Sequence, residues 1–234
     1  IESFGKGAFN AKRAGFDGVE IHAVHEGYLI DQFAISFFNH RTDEYGGSLE
    51  NRLRFAKEIR EEIAKTCGWD FPVAVRFSPK SMLKDWRKGA LPNEEFEEKG
   101  RDLEEGLQTA KLLEAYGYDA LDVDVGCYDA WWWNHPPMYM EKGPYRKYAK
   151  LVKETVKVPV FMAGRMDTPE MAESCVNDGT CDVISLGRPL LADPDYVKKL
   201  RANHVCEIRP CISCQEGCMG RIQTYSMINC AVNP

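Results

Sequence analysis

The sequence has no long apolar run and no cluster of basic residues. None of its apolar stretches approaches the roughly 18 residues that would span a bilayer. Its net charge is −6 over 234 residues. An acidic chain without a basic run is poorly suited to bind nucleic acid. We therefore expect neither a membrane nor a nucleic acid among its partners.

The sequence also lacks a dinucleotide-binding fingerprint and a disulfide framework. No G-x-G-x-x-G motif occurs, which argues against a dinucleotide-binding fold. The cysteines number nine, an odd count, and no secretory leader is apparent. We expect free thiols, a reducing environment and a cytoplasmic location.

What is present is the composition of a globular protein built from strands and helices in alternation. Hydrophobic residues make up 44% and charged residues 28% of the chain, enough for one large core. A long amphipathic helix is predicted after an N-cap at Ser48, and a second over Glu94–Tyr116. Five short apolar segments predict strands of a sheet buried on both faces. They are Gly18–His22, Val73–Phe77, Ala120–Asp124, Val160–Ala163 and Val183–Leu186.

The junctions between helix and strand repeat along the chain. The segments at 15–19 and 117–121, and more loosely 179–183, place a glycine before an aspartate and then a strand. Repeated βα units indicate a (β/α)8 TIM barrel or a doubly wound sheet. Polar residues at the strand ends favour the barrel, because barrels carry their sites there. With five strands found, we predict a partial barrel, strands 4–8, that is truncated or completed by a second chain or a homo-oligomer.

Four cysteines are concentrated near the end of the sequence. Cys211, Cys214, Cys218 and Cys230 have the spacing C-x2-C-x3-C-x11-C. Three thiolates from a tight loop and a fourth from a later turn suit a [4Fe–4S] cluster. A structural zinc is the alternative, although zinc ribbons usually use two separate pairs; a disulfide framework is the weakest reading. We predict a barrel over residues 1–204 and a cluster-binding segment over 205–234, with the other five cysteines as small buried residues.

Residues at the exit of the first predicted strand could bind and protonate a carbonyl compound. His22 and His25 can donate hydrogen bonds to an oxygen, and the phenol of Tyr28 can deliver a proton. The alternative is a pair of packing histidines and a core tyrosine. A metal site at the two histidines lacks a clear third ligand.

This stretch, together with Arg41–Arg52, resembles the old yellow enzyme family of FMN-dependent ene-reductases. The cysteine tail is similar to that of its iron–sulfur branch, which holds 2-enoate reductases, 2,4-dienoyl-CoA reductases and related bile-acid enzymes. The resemblance implies an FMN at the barrel mouth and an unsaturated acid or thioester as substrate. It implies that Tyr28 donates a proton to the substrate, while His22 and His25 hold the substrate's activating carbonyl.

The resemblance also implies the residues that hold the flavin. Arg76 matches the arginine beside the flavin's N1/O2 edge. Gly164-Arg165 and Gly187-Arg188 match the paired loops that bind the phosphate, where glycine exposes backbone N–H groups and arginine offers a planar fork.

Two further expectations and two alternatives complete the prediction. In the relatives, FAD and NAD(P)H bind in a later region that feeds electrons to the cluster, so we expect no NADH oxidation from residues 1–234 alone. The tryptophans at 131–133 could line a substrate pocket or pack against another domain, and Tyr128 stands where dienoyl-CoA reductases have a histidine. The alternatives are an amine demethylase like trimethylamine dehydrogenase, and a flavin-free cluster carrier.

Overall fold

The computed structural model describes residues 1–24 and 29–234, and a parallel sheet organises them. The strands are β1 (Val19–Val24), β2 (Val73–Phe77), β3 (Leu83–Asp85), β4 (Lys88–Gly89), β5 (Ala120–Val123), β6 (Val160–Met162) and β7 (Val183–Ile184). The parallel sheet has five strands in the order β1-β2-β5-β6-β7, and β3 and β4 form a separate, small antiparallel hairpin.

Helices connect the parallel strands, as the alternating pattern predicts. They are α1 (Glu2–Arg13), α2 (Leu29–Ala34), α3 (Leu49–Arg52), α4 (Arg54–Cys67), α5 (Leu103–Ala115), α6 (Trp131–Asn134), α7 (Arg146–Thr155), α8 (Pro169–Asn177), α9 (Arg188–Ala192), α10 (Tyr196–Arg201) and α11 (Met219–Gln223). Short 3-10 turns occupy Tyr128–Ala130 and Val205–Glu207. No helix in the described ranges is long and apolar enough to cross a membrane.

The two faces of the sheet differ in chemistry. Along β2, Val73, Val75 and Phe77 are fully buried, whereas Ala74 and Arg76 are half-buried. This alternation follows from the twofold period of a strand. The first set packs into the apolar core beside helix residues such as Ile59, which is also fully buried. The second set faces the other side, where the polar strand-end residues gather.

The sheet is open at both edges within the described chain. There β1 pairs only with β2, and β7 pairs only with β6. All four pairings in this sheet are parallel. The prediction of five adjacent strands of a partial barrel is therefore confirmed, and each strand lies within two residues of its predicted bounds.

The repeated junction has a common physical basis. Gly15, Gly117 and Gly179 have φ values of +90°, +89° and +72°, a region that favours glycine and ends the preceding helix. In two junctions the aspartate then ties neighbouring strands together. The Asp119 carboxylate accepts a 2.8 Å hydrogen bond from the first N–H of β2, and Asp182 accepts one of 2.8 Å from the first N–H of β6.

Two helix predictions need correction. The helix predicted over Glu94–Tyr116 begins only at Leu103, capped by Asp102. The Glu98 carboxylate instead accepts hydrogen bonds from the backbone N–H groups of Met82, Leu83 and Gly100, at 2.8, 2.9 and 3.0 Å. These bonds hold the segment before α5 as a non-helical cover over the hairpin.

The helix predicted after Ser48 is also divided. Ser48 caps it as predicted, accepting from Asn51 N–H at 3.3 Å, but the helix is interrupted at Leu53 between α3 and α4. Arg52 turns inward there and pairs with Glu105 at 2.6 Å.

Candidate active site

Arg76 stands at the carboxyl end of β2 among acidic side chains. Its Nε donates to Asp124 Oδ2 at 2.8 Å, and its Nη1 lies 4.0 Å from Asp122 Oδ2. Burial alone lowers the pKa of the guanidinium, but the carboxylates of Asp124 and Asp122 outweigh burial and raise that pKa above its ordinary value. Arg76 is therefore a fixed positive charge at the mouth of the sheet.

The five residues predicted to hold a cofactor are brought together. One cavity of about 290 Å³, open to solvent, has all of them on its wall: Arg76, Gly164, Arg165, Gly187 and Arg188. We call it the flavin cavity after the prediction. Its size lies at the lower end of the range of about 300–1,000 Å³ that is usual for small-molecule sites. The strand ends of a parallel sheet converge at one edge, which is why residues far apart in sequence meet here.

The two glycines of the cavity serve different purposes. Gly164 has φ +93°, and a Cβ there would lie 2.6–2.9 Å from atoms of the Tyr145 ring. A Cβ on Gly187 would meet no atom within 4 Å, so this residue leaves open space. Glycine is required at 164 because a side chain would clash with the Tyr145 ring. The absence of a side chain at Gly187 leaves space beside the cavity.

The two arginines after β6 and β7 are held by backbone carbonyl groups. Arg165 Nη1 donates to the carbonyls of Pro137 at 3.1 Å and Met138 at 3.3 Å, and also to that of Met140. Arg188 Nη1 donates to the carbonyl of Pro136 at 3.0 Å. Both guanidinium groups are thereby anchored to one loop, the segment after α6.

Three buried polar atoms on this wall have no hydrogen-bond partner among the described residues. They are Arg165 Nε, a donor, and Asn134 Oδ1 and Asp167 Oδ1, two acceptors. Buried polar groups are normally paired, so an unpaired donor and acceptor fit a ligand that carries both kinds of group. A flavin nucleotide, with an anionic phosphate and a ring that donates and accepts, satisfies that requirement.

Of the three predicted catalytic residues, the structure describes His22. His22 is exposed on β1 and pairs in register with Arg76, so both side chains face the polar side of the sheet. Asp122 continues the same row on β5. His25 and Tyr28 lie outside the described residues. Their roles therefore stay predictions.

The four predicted cluster ligands also converge. Cys211, Cys214, Cys218 and Cys230 all line a second, smaller cavity, which we call the thiol cavity. A hydrogen bond of 2.8 Å from Asn229 N–H to the Gly217 carbonyl returns the chain so that Cys230 reaches the loop. A Cβ on Gly217 would lie 2.7 Å from the Asn229 carbonyl oxygen, so glycine is needed at this contact.

The thiol-bearing segment is attached to the barrel by polar contacts. The carboxylate of Asp193, after α9, accepts from Arg209 N–H at 2.8 Å and from Lys199 Nζ at 2.6 Å. Asn233 Nδ2 donates to the Leu191 carbonyl at 3.1 Å. These bonds place the thiol cavity against the strand ends of the barrel.

The thiol arrangement bears on the choice between zinc and a cluster. A zinc ion needs its sulfur ligands within about 2.3 Å of one point. No group of three or more His, Cys, Asp or Glu side chains in the described chain stands ready to hold a single metal ion. Yet the four thiols share one cavity, as a ligand common to all four would require.

The remaining cysteines are mostly packing residues. Cys67, Cys127, Cys175 and Cys181 are buried, as expected, and burial raises the pKa of the Cys181 thiol to about 12. The expectation is wrong for Cys206, which is exposed on a short 3-10 turn.

The tryptophan cluster packs against this chain's own residues. Trp132 and Trp133 each donate from Nε1 to the Ala90 carbonyl at 2.9 Å. Trp131 stacks on the His135 ring, with centroids 4.0 Å apart, and lines a pocket with residues 214–223 of the thiol-bearing segment. The cluster thus joins the barrel mouth to the hairpin on one side and to the cysteine loop on the other.

Sequence reasoning missed several residues of the flavin cavity. Asn134, His135 and Ser213 line it, and so does Cys211, which was expected to serve only the cluster. In the sequence, the loop after β5 stands out only by its tryptophans and by Tyr128. Tyr128 is exposed and stacks on Trp131.

Comparison with known proteins gives the family. Residues 1–206 match the model of the NADH:flavin oxidoreductase / NADH oxidase family. The chain belongs to this family. A curated relative, cinnamate reductase of Clostridium sporogenes, is 62% identical over the whole chain, which spans 35% of that protein. The chain thus covers about a third of the length of this relative and of the NADH oxidase of Thermoanaerobacter brockii.

Solved structures agree on the fold. A complex of 2-naphthoyl-CoA reductase with 2-naphthoyl-CoA superposes with a TM-score of 0.89 at 31% identity, over 100% of this chain and 33% of that one. Histamine dehydrogenase from Rhizobium sp. 4-9 superposes with a TM-score of 0.85 at 30% identity, over 99% and 31%. Family membership therefore confirms the predicted resemblance and supports a flavin cofactor and oxidoreductase chemistry.

Proposed function

We propose that this chain is the FMN- and [4Fe–4S]-binding part of an oxidoreductase that reduces the activated C=C bond of an enoate or enoyl thioester. One observation carries the proposal: the five predicted flavin residues line one cavity, and the four thiols line another that shares residues with it. The 62% identity to a cinnamate reductase favours an arylacrylate-type substrate.

When bound, FMN would supply a hydride from N5 to the substrate's β-carbon, and the cluster would supply single electrons to FMN. Arg76 would hold a positive charge against the flavin edge that becomes negative on reduction, because Asp122 and Asp124 keep its guanidinium charged. Gly164, Arg165, Gly187 and Arg188 would hold the phosphate.

The substrate roles rest on the family resemblance. His22 and His25 would hold and polarise the substrate's carbonyl or carboxylate. Tyr28 would protonate the α-carbon. In this proposal residues 1–204 are the partial barrel and 205–234 the cluster-binding segment. FAD and NAD(P)H would bind to a further region, of the kind that the longer relatives have beyond the part this chain matches.

The first test is an absorption spectrum of the purified full-length protein before and after dithionite, with iron and acid-labile sulfide analysis. The proposal expects a flavin band and a broad iron–sulfur shoulder that both bleach. A cluster without flavin would support the cluster carrier instead, and zinc without iron would defeat the cluster assignment.

The second test is Tyr28→Phe. Loss of the proton donor should lower the rate of alkene reduction by about 10²–10⁴-fold, the usual contribution of general acid catalysis. Reduction of the flavin by dithionite should not change. Tyr225→Phe is the matched control, because Tyr225 is fully exposed on the far segment. Equal alkene reduction by both variants would remove Tyr28 from the mechanism.

An amine dehydrogenase on the same scaffold is the second candidate, favoured by the structural likeness to histamine dehydrogenase. A panel of cinnamate-type acids, enoyl-CoA thioesters, methylamines and histamine separates the two. Turnover of amines with no turnover of alkenes would replace the first proposal by this one.

A further inference from the structure

The flavin cavity and the thiol cavity share a wall. Arg188, Cys211 and Ser213 line both cavities. A fourth link crosses between them: Gln215, on the thiol cavity, donates from Nε2 to the carbonyl of His135, on the flavin cavity. A change of shape on one side of this wall therefore displaces atoms on the other side.

The wall has a conformation that isolated peptide would not favour. Ser213 is 3% exposed and has φ +54°, and Gln215 has φ +65°. Residues other than glycine rarely adopt such φ values and hold them only where surrounding contacts impose them. Here the two residues flank Cys214, one of the four thiols.

One contact shows what could impose this shape. The Ser213 backbone N–H donates to Cys211 Sγ at 3.4 Å. The position of the Cys211 sulfur and the shape of the turn at 211–213 are therefore linked. A group that fixes the Cys211 sulfur also fixes this turn.

We propose that the cluster is a structural part of the flavin site, coupled to it through Arg188, Cys211 and Ser213. Holding the cluster fixes residues 211–215 in the shape that closes one side of the flavin cavity. Loss of the cluster frees that wall and weakens flavin binding. By linkage, bound flavin stabilises the cluster by the same factor. The inference rests on the proposed function, since it assumes that both groups bind.

Cys230→Ala in the full-length protein tests the coupling. Cys230 lines the thiol cavity but is not on the wall of the flavin cavity. The variant should lose iron and acid-labile sulfide, and its Kd for FMN should rise about tenfold, within the usual range for coupled sites. Cys206→Ala is the matched control, because that thiol is exposed and lines neither cavity. Its iron content and Kd should equal those of the wild type.

A second measurement avoids dependence on a variant that fails to fold. Iron is stripped from the wild-type protein with a chelator, the FMN Kd is measured by flavin fluorescence, and the cluster is then reconstituted. The Kd should rise on stripping and recover on reconstitution. A Kd that stays within twofold throughout would overturn the coupling while leaving the proposed function intact. Wild-type protein that binds no FMN in either state would defeat the proposed function itself.

Discussion

The barrel part and the thiol-bearing segment of this chain are stabilised in different ways. Residues 1–204 surround a continuous apolar core, in which residues such as Ile59, Val75 and Leu121 are fully buried. Within the described chain, only Ser213 and Gly217 are buried after residue 204. Ile212, Ile222, Tyr225, Met227 and Ile228 all stand exposed there.

This difference shows which interactions stabilise each region. Burial of apolar surface, worth about 25 cal/mol per Å², stabilises the barrel. The segment has no apolar core and relies on polar contacts such as Asp193 with Arg209, and on whatever its thiols hold. Metal ligation can supply folding free energy directly, as in small metal-binding domains. We therefore expect the barrel to be stable without the cluster and the segment to depend on it.

The largest expected effect separates the two regions directly. Cys214→Ser should remove the cluster and raise amide hydrogen exchange across residues 211–230 by several orders of magnitude, because little apolar packing protects the backbone there. Exchange in β2 and α4 should stay at the wild-type rate. Mass spectrometry of exchanged peptides measures both regions in one experiment. Equal loss of protection in the barrel would show that the two regions fold as one unit.

A matched pair of isoleucine substitutions measures the same contrast in free energy. Ile59→Ala removes a fully buried side chain from α4 and should lower the free energy of unfolding by about 2–5 kcal/mol. Ile228→Ala makes the same change at a residue that is 46% exposed, and should cost about 0.5 kcal/mol or less. Urea unfolding followed by circular dichroism gives both values. A large cost at Ile228 would reveal apolar packing on the segment.

The two glycines of the flavin cavity sharpen the comparison within the barrel. Gly164→Ala places a methyl group against Tyr145 at a positive φ, and should cost about 1–3 kcal/mol of stability. Gly187→Ala meets open space and should leave stability within about 0.5 kcal/mol while weakening FMN binding. Thermal unfolding and flavin titration of both variants decide the matter. Equal FMN affinity of Gly187→Ala and wild type would place the ligand elsewhere.

The smallest expected effect concerns pH at the joint between the regions. The hydrogen bond from Lys199, followed by that from Arg209 N–H, lowers the pKa of Asp193 below its ordinary value of 3.8. A carboxyl group whose pKa is lower in the folded than in the unfolded protein stabilises the fold at pH values above its unfolded pKa. This stabilisation is lost as the pH falls through the folded pKa. The protection factors of the amides in 205–209, which correct for the intrinsic pH dependence of exchange, should therefore fall between about pH 5 and pH 2. Asp193→Asn should flatten that fall, and an equal fall in the wild type and the variant would show that Asp193 does not cause it.

Much of the fold could be predicted because its signals are local. Short apolar runs gave the strands, and the glycine–aspartate junctions gave the βα repeat. The cysteine spacing brought four thiols to one cavity, and the Gly-Arg pairs at 164–165 and 187–188 fell on another. In each case neighbouring residues carry the information.

What could not be predicted depends on contacts between distant residues. Glu98 holds residues 94–101 out of a helix only because the hairpin at 82–83 offers it N–H groups. The Gln215 contact to His135 joins residues 80 apart in sequence. No spacing pattern encodes such pairs. Tyr28 and His25 remain predictions from resemblance.

The aspartate ties at the junctions have a consequence for how this scaffold could change. Asp119 and Asp182 fasten the amino ends of β2 and β6, whereas the cavities lie at the opposite, carboxyl ends. The hydrogen bonds that align the strands and the cavities thus lie at opposite ends of the sheet. Loops at the carboxyl ends can therefore be exchanged to accept new substrates, while the bonds at the amino ends keep the strands aligned.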